Sequence, residues 1–339
     1  MKAIRIAPAL LLFAALSAAQ TLDIYTIDVE GGKSVLVVSP AGESMLVDVG
    51  WPASASREAS TDRIVEAATA AGLQQIDYLV ISHYDIDHIG DVPRLASSFP
   101  IRHIVDHGEI HEAVSENARR RFDAYAEVRD KIGHTELKPG DKLPIKGVDV
   151  LVVSGGGDMI EEPVEGGGAP NPLCEIHGRA DLIERDVEDN QSVGLLYTYG
   201  KFRMLDLADL EAHHSNGLVC PNNLVGPVDI FHVNVHGQFK GIAPEMVGAL
   251  NAPVIIQGNG ARKGADAQTW PILRGAPGLQ DIWQVHYSLN AGEGQNPPDD
   301  FIANLEPDDG FKWIKVAVES DGTFTVSNSR NGFSKTYRK

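Results

Sequence analysis

Apolar and polar positions alternate in short runs after the N-terminal segment. Residues 22–29, 34–39 and 44–48 read as three strands, with Gly31-Gly32 and Ala41-Gly42 supplying the turns between them. The period then changes. Ile64, Val65, Ala68 and Ala71 fall on one face and Gly72 follows, which predicts a helix over 60–71. An apolar run over 76–82 reads as a buried strand, 101–105 as a second short strand, and Ala118, Phe122, Tyr125 and Ile132 mark one stripe of a further helix. After a strand at 148–153, residues 155–190 show no sustained period and are rich in Gly, Pro and acidic residues, which is read as a loop over a functional site rather than an interdomain linker. Strands resume as a hairpin, 192–199 and 202–206, across Gly200. Strands at 229–233, 253–257 and 282–287 alternate with helical pieces at 244–250 and 267–273, the latter containing Pro271. A hairpin, 311–318 and 323–327, closes the chain. Each half runs from strands into alternating helices and strands. Two mixed sheets with helices outside would bury this pattern on both sides.

The chemistry is concentrated at one place. His83-Tyr84-Asp85-Ile86-Asp87-His88 packs two imidazoles and two carboxylates into one turn directly after the predicted strand 76–82. Such a set is poorly accommodated without a cation, and mixed nitrogen and oxygen donors suit zinc, manganese or iron. Gly90 follows, where the backbone is expected to bend sharply, and Asp91 with Pro93 reads as the start of a helix. A polar loop with an Asp cap would explain Asp91 but not the density of His83, Asp85, Asp87 and His88. One turn cannot complete a two-metal site, so further ligands are expected at later strand ends. Asp209 follows the apolar hairpin, His236 stands past the strand 229–233 beside Gly237, and Asn190 lies at the entrance to 192–199. Among the other histidines, His213-His214 read as surface. His103, His107 and His111 read as mostly solvated, with His107 the best placed to face a site. The polar turn Asn259-Gly260-Ala261-Arg262-Lys263-Gly264 could bind an anionic group, and a plain loop is the preferred reading.

Composition adds compartment and partner. Lys2 and Arg5 precede an apolar run over 6–16, and Ser17-Ala18-Ala19 offers small residues for cleavage, so residues 1–19 read as a secretory signal peptide and 20–339 as one domain, secreted or periplasmic. The run is too short to span a bilayer, and no stable membrane anchor is expected after cleavage. The formal charge of −18 repels phosphate backbones at long range, and the one basic run, Arg119-Arg120-Arg121, has Glu116, Asp123 and Glu127 at helical spacing, a solvated face rather than a nucleic-acid surface. Cys174 and Cys220 are either a disulfide or two buried thiols. Oligomeric state is left open.

In series, Ile27-Asp28-Val29-Glu30-Gly31-Gly32, Leu46-Val47-Asp48-Val49-Gly50, the His83–His88 turn, Asn190-Gln191-Ser192, Leu207-Ala208-Asp209 and His236-Gly237 make the chain resemble a metallo-β-lactamase-fold hydrolase, closest to the branch containing the soluble domain of the ComEC competence proteins. The resemblance implies an α/β fold, an αββα sandwich, with a site for one or two divalent metal ions (Zn or Mn) between the sheets. It implies His83 and Asp85 on one metal, Asp87 and His88 on the other, Asp209 bridging, and His236 on the second. Asn190 falls near where many relatives place a histidine, Asp48 supports the ligands, and Asp87 orients the nucleophile. Two departures stand out: Asp85 replaces the second histidine of the widespread His-x-His-x-Asp-His turn, and Val235 replaces the first of a common His pair. Oxygen donors gained at the expense of imidazoles favour Mn²⁺ over Zn²⁺. Three carboxylates and a hydroxide neutralise two divalent ions, so the expected substrate is a small molecule carrying an ester, lactone, amide or phosphoester rather than DNA. The rival readings are an extracytoplasmic phosphodiesterase or nuclease, and a non-catalytic binding protein with a degraded site.

Overall fold

In the computed structural model, residues 21–54, 58–175, 187–306 and 312–339 are described. The expected signal peptide over 1–19 lies outside the described residues, and no helix among those described is long and apolar enough to cross a membrane.

The chain forms the α/β sandwich expected. Its first sheet has nine strands, in the order Ser334–Tyr337, Phe324–Asn328, Trp313–Val318, Leu22–Ile27, Val35–Val38, Ser44–Val47, Ile76–Val80, Ile101–Asp106 and His134–Glu136. Pairing is antiparallel as far as Ser44–Val47 and parallel beyond it. The second sheet has eight strands. Ile302–Asn304, Asp281–His286, Val254–Gln257, Ile230–His232 and Phe202–Asp206 run parallel, and Gly194–Tyr199, Asp149–Gly155 and Asp158–Met159 continue antiparallel.

Strand alternation builds the layers. Leu22 and Ile24 point between the sheets with Val35, Val37, Met45 and Val47, where they meet Val150, Val152, Leu195, Tyr197, Met204, Ile230, Val254 and Trp283 from the second sheet. Tyr25, Ile27, Leu36, Leu46 and Leu79 point the other way, onto Ile64, Ala67 and Ala68 of helix Ser60–Ala70 and Phe122 and Tyr125 of helix Glu116–Ile132. The outer face of the second sheet is covered in the same way by Met246, Val247 and Leu250 of helix Pro244–Leu250 and Leu273 of Thr269–Arg274. Parallel strands buried on both faces read as continuous apolar runs, which is why the 76–82 and 253–257 patterns show no alternation.

Two local expectations change. Asp91 precedes helix Val92–Ser98 but makes no side-chain cap bond; its Oδ2 accepts from Thr61 N at 2.7 Å and ties two helices together. Gly90 has an ordinary helical φ of −60°, so bending is not its role. A Cβ there would stand 2.2 Å from Ile86 O and 2.3 Å from Pro52 Cδ, and close approach is the constraint. The described part of 155–190 runs beside the segment 218–224 through bonds such as Val164 N to Leu224 O and Gly168 N to Asn223 O, and Cys174 is joined there to Cys220 by a disulfide.

Candidate metal centre

The site forms where the two sheets meet at their strand ends. Strand Ile76–Val80 delivers Ser82 and His83, and a single helical turn, Ile86–Ile89, delivers Asp87 and His88. Asp48 locks this turn: it accepts from Ser82 N at 2.8 Å and Ser82 Oγ at 2.6 Å, and its Oδ2 lies 2.8 Å from His88 Nδ1. A buried carboxylate on Nδ1 fixes the ring and leaves Nε2 to face the site, as in carboxylate–histidine–metal arrangements. Val49 N to His88 O and Lys33 N to Asp87 O pin the backbone of the turn to the first sheet.

The remaining groups come from the second sheet. Asp206 ends strand Phe202–Asp206, and its Oδ1 accepts from Ala208 N at 3.0 Å, stabilising a turn in which Ala208 has φ of +50° and Asp209 emerges. Asp206 also receives the ammonium of Lys33 at 2.7 and 2.8 Å, so one buried ion pair connects the sheets beneath the site. Past strand Ile230–His232, Val235 (φ 50°, ψ 42°) and His236 (φ 55°, ψ 15°) are both left-handed. Such a conformation costs a β-branched residue about 1–3 kcal/mol and is typical of over-determined functional segments. Val235 N donates to Ala208 O and Ala265 N to His236 O, holding the strained pair in place.

Six side chains converge. Ligand atoms of Asp87, His88, Asp209 and His236 form one mutually close group and those of His83, Asp189 and Asp209 a second, with Asp209 in both, and all six residues are buried. His236 Nε2 lies 3.1 Å from Asp87 Oδ2 and 3.1 Å from Asp209 Oδ2, His88 Nε2 lies 3.4 and 3.5 Å from the same two carboxylates, and His83 Nε2 lies 3.6 Å from Asp189 Oδ1. The three Nε2 atoms are buried, yet none has a hydrogen-bond partner among the described residues. Buried imidazole nitrogens aimed at carboxylates without hydrogen-bond geometry are what a shared cation would satisfy, and the donor set fits divalent zinc or manganese.

Electrostatics agree. Burial and the neighbouring His88 hold His83 down at about 3, so it is neutral and able to ligate. Burial opposes charge on His88 too, but Asp209, Asp48 and Asp87 outweigh it and raise that imidazole well above its usual range. Burial pushes the Asp87 and Asp209 carboxyls up; Lys263 with His88 for the former, and His236 with His88 for the latter, overcome this and hold both well below the usual carboxylate range.

The structure brings His83, Asp87, His88, Asp209 and His236 together and leaves two expected residues out. Asp85 occupies the N-cap position of helix Ile86–Ile89 in extended backbone, half-buried, and belongs to neither group. Asn190 is buried but displaced by its neighbour: the short helical turn Asp189–Gln191 points Asp189 at His83. A carboxylate one residue from the expected amide was the available signal. Glu188 secures that turn, with Oε1 accepting from Tyr84 N at 3.0 Å and lying 3.2 Å from His107 Nε2, so His107 is a buried partner of Glu188 rather than a solvated residue. His213 and His214 belong to neither group. Two lysines not named as site residues also contact the ligand carboxylates. Lys240 contacts Asp189 Oδ2 and lies 3.3 Å from Glu211 Oε1, and Lys263 contacts Asp87 Oδ2.

Residues 27–174 match the model of the metallo-beta-lactamase superfamily, and the chain carries a domain of that superfamily. The matched segment includes the His83–His88 turn but neither Asp209 nor His236. Among curated proteins the chain is similar to ComE operon protein 3 of Bacillus subtilis (strain 168), 27% identical over 144 residues, a match that supports the ComEC-like branch. It covers 39% of this chain and only 18% of that relative. Among solved structures it is similar to the metallo-beta-lactamase fold protein YhfI from Bacillus subtilis, with 12% identity, 94% of this chain and 100% of that one covered, and a TM-score of 0.47. It is also similar to CmlA, a diiron beta-hydroxylase from Streptomyces venezuelae, with 15% identity, coverages of 77% and 48%, and a TM-score of 0.40. A diphosphatase of the PhnP family is 14% identical, with coverages of 88% and 98% and a TM-score of 0.39.

Proposed function

We propose that this protein is an exported metal-dependent hydrolase acting on a small ester, lactone, amide or phosphoester. The observation that carries the reading is the convergence of three buried imidazole nitrogens that make no hydrogen bond among the described residues with three buried carboxylates, from four separate chain segments. His83, Asp189 and Asp209 would hold one divalent ion and Asp87, His88, Asp209 and His236 a second, zinc or manganese. Ions so held supply water activation and polarisation of a carbonyl or phosphoryl oxygen. The residues do the rest: Asp48 sets the His88 ring, Asp206 sets the turn bearing Asp209, Glu188 sets the turn bearing Asp189, and Asp87 orients the attacking water. Export rests on the N-terminal sequence, and the Cys174–Cys220 bond suits an oxidising compartment.

The test is metal analysis of purified protein, followed by a hydrolase screen with Mn²⁺ and Zn²⁺. The expected result is one to two ions per chain and turnover abolished by Asp209→Ala with the fold intact. Full activity in that variant, or metal well below one ion per chain, overturns the proposal, the latter in favour of a non-catalytic protein.

A further inference from the structure

Lys263 occupies an unusual position. Its ammonium contacts Asp87 Oδ2, the same oxygen that faces His236 Nε2 at 3.1 Å and His88 Nε2 at 3.4 Å. It is therefore a cation on an inward-facing ligand oxygen of the centre. Lys240 differs: it contacts Asp189 Oδ2 while His83 faces Oδ1, and Glu211 is a second carboxylate within reach, so Lys240 keeps a partner whatever binds at Oδ1. For Lys263, Asp87 is the ion-pair partner found among the described residues.

The surroundings fix the stem and leave the tip free to move. Gly260 N donates to Lys263 O at 2.9 Å, Asn259 Nδ2 donates to His286 O at 2.8 Å, and a Cβ on Gly31 would stand 2.7 Å from Lys263 Cβ, so the loop is clamped on both sides. The side chain is nevertheless 28% exposed, against 5% for Asp87, and its ammonium lies 5.1 Å from the centroid of the Trp51 ring. The ammonium thus sits at the mouth of a buried centre, on a four-carbon stem with an aromatic face beside it.

We infer that Lys263 is an exchangeable counter-ion: it neutralises Asp87 in the metal-free centre and, once a divalent cation takes that oxygen, turns its ammonium to an oxyanion of the substrate, carboxylate or phosphoryl. One carboxylate oxygen cannot keep both cations at contact distance, because like charges so close in a partly buried site repel strongly. The displaced ammonium then borders the reacting groups of a chain whose formal charge is −18, where few other cations compete for an anion. This narrows the substrate class, and it rests on the metal-centre reading above.

The test uses the full chain and its Lys263→Met variant, with Co²⁺ as a spectroscopic probe. Removing the internal competitor is expected to tighten Co²⁺ binding by about tenfold or more, and to weaken binding of inorganic phosphate to the Co²⁺-loaded protein by a similar factor, read from the visible spectrum. Acetate titrated in parallel separates carboxylate from phosphoryl recognition. Lys263→Arg should restore oxyanion binding, and matching far-UV circular dichroism spectra of the metal-free proteins show that folding is not the cause. Equal or weaker Co²⁺ affinity in Lys263→Met, or unchanged affinity for both oxyanions, overturns the inference while leaving the centre standing. Failure of the wild-type chain to bind Co²⁺ removes the metal centre itself.

Discussion

The Lys33–Asp206 pair offers the sharpest test of how the sandwich is held at the site. Both side chains are buried, 4% and 2% exposed, and both carboxylate oxygens receive the ammonium. Lys33 belongs to the first sheet's opening turn and Asp206 to a strand of the second. In Lys33→Met the apolar stem is kept and the charge removed, which strands a carboxylate in the interior. Breaking a buried pair in this way costs about 3–5 kcal/mol, whereas replacing both charged groups costs far less. Against a total stability of about 5–15 kcal/mol the single variant is severely weakened. In Lys33→Met/Asp206→Asn the amide oxygen still accepts from Ala208 N, so the turn carrying Asp209 survives and at least half of the loss should return. The assay is urea denaturation followed by tryptophan fluorescence, with Trp283 fully buried as reporter, and a double-mutant cycle over the four proteins. A Lys33→Met cost below about 1 kcal/mol, or strictly additive variants, would refute the reasoning, because either outcome means the pair is not acting as a desolvated unit.

Three further outcomes are expected. Asp48→Asn, which removes the charge that orients His88 Nδ1, should weaken metal binding by about 10–100-fold with little loss of secondary structure, measured by chelator competition. His232, buried and held at about 3 by burial and by Lys33, stays neutral when folded while an unfolded imidazole protonates near its ordinary value. Its contribution to stability is therefore complete above about pH 6.5 and shrinks as pH falls from there toward 3, by about 2 kcal/mol at pH 5; the difference between urea midpoints at pH 7.5 and pH 5 should be correspondingly smaller in His232→Gln. Reducing Cys174–Cys220, which closes a separation of 46 residues, should lower stability by about 4 kcal/mol in the chain-entropy picture, and an unchanged urea midpoint with dithiothreitol would contradict it.

Most strands and the two principal helices were legible because their periodicity is local. Leu22 and Ile24 facing one way and Tyr25 and Ile27 the other is a property of the strand itself. Ser334–Tyr337 and His134–Glu136 were not foreseen, since each is a short edge strand whose identity comes from its neighbour. The His83–His88 turn stood out by density alone. Asp209 and His236 were reached as polar residues at strand ends. Asp189 was missed in favour of Asn190, because a one-residue choice inside a short helical turn is decided by Glu188 reaching Tyr84 N and His107, partners more than eighty positions away. Asp85 was over-read: it stands at the N-cap of helix Ile86–Ile89, which buries Asp87 and His88 in one ligand group, and stays half-buried outside both groups. Lys263 lies in the polar turn 259–264, for which a plain loop was preferred over an anion-binding turn, and its contact with the centre appears only when that turn is folded against Gly31 and Asp87.

Asp209 stands in both ligand groups, and each group takes further members from the first half of the chain, before residue 100. Neither half therefore contains a complete ligand group, and the segment matching the superfamily stops short of the carboxylate common to both groups. On the proposed reading, ion retention reports assembly of the whole sandwich. Were the polypeptide severed between the two halves, regained metal uptake on mixing the pieces would measure their reunion more directly than any optical signal from the backbone.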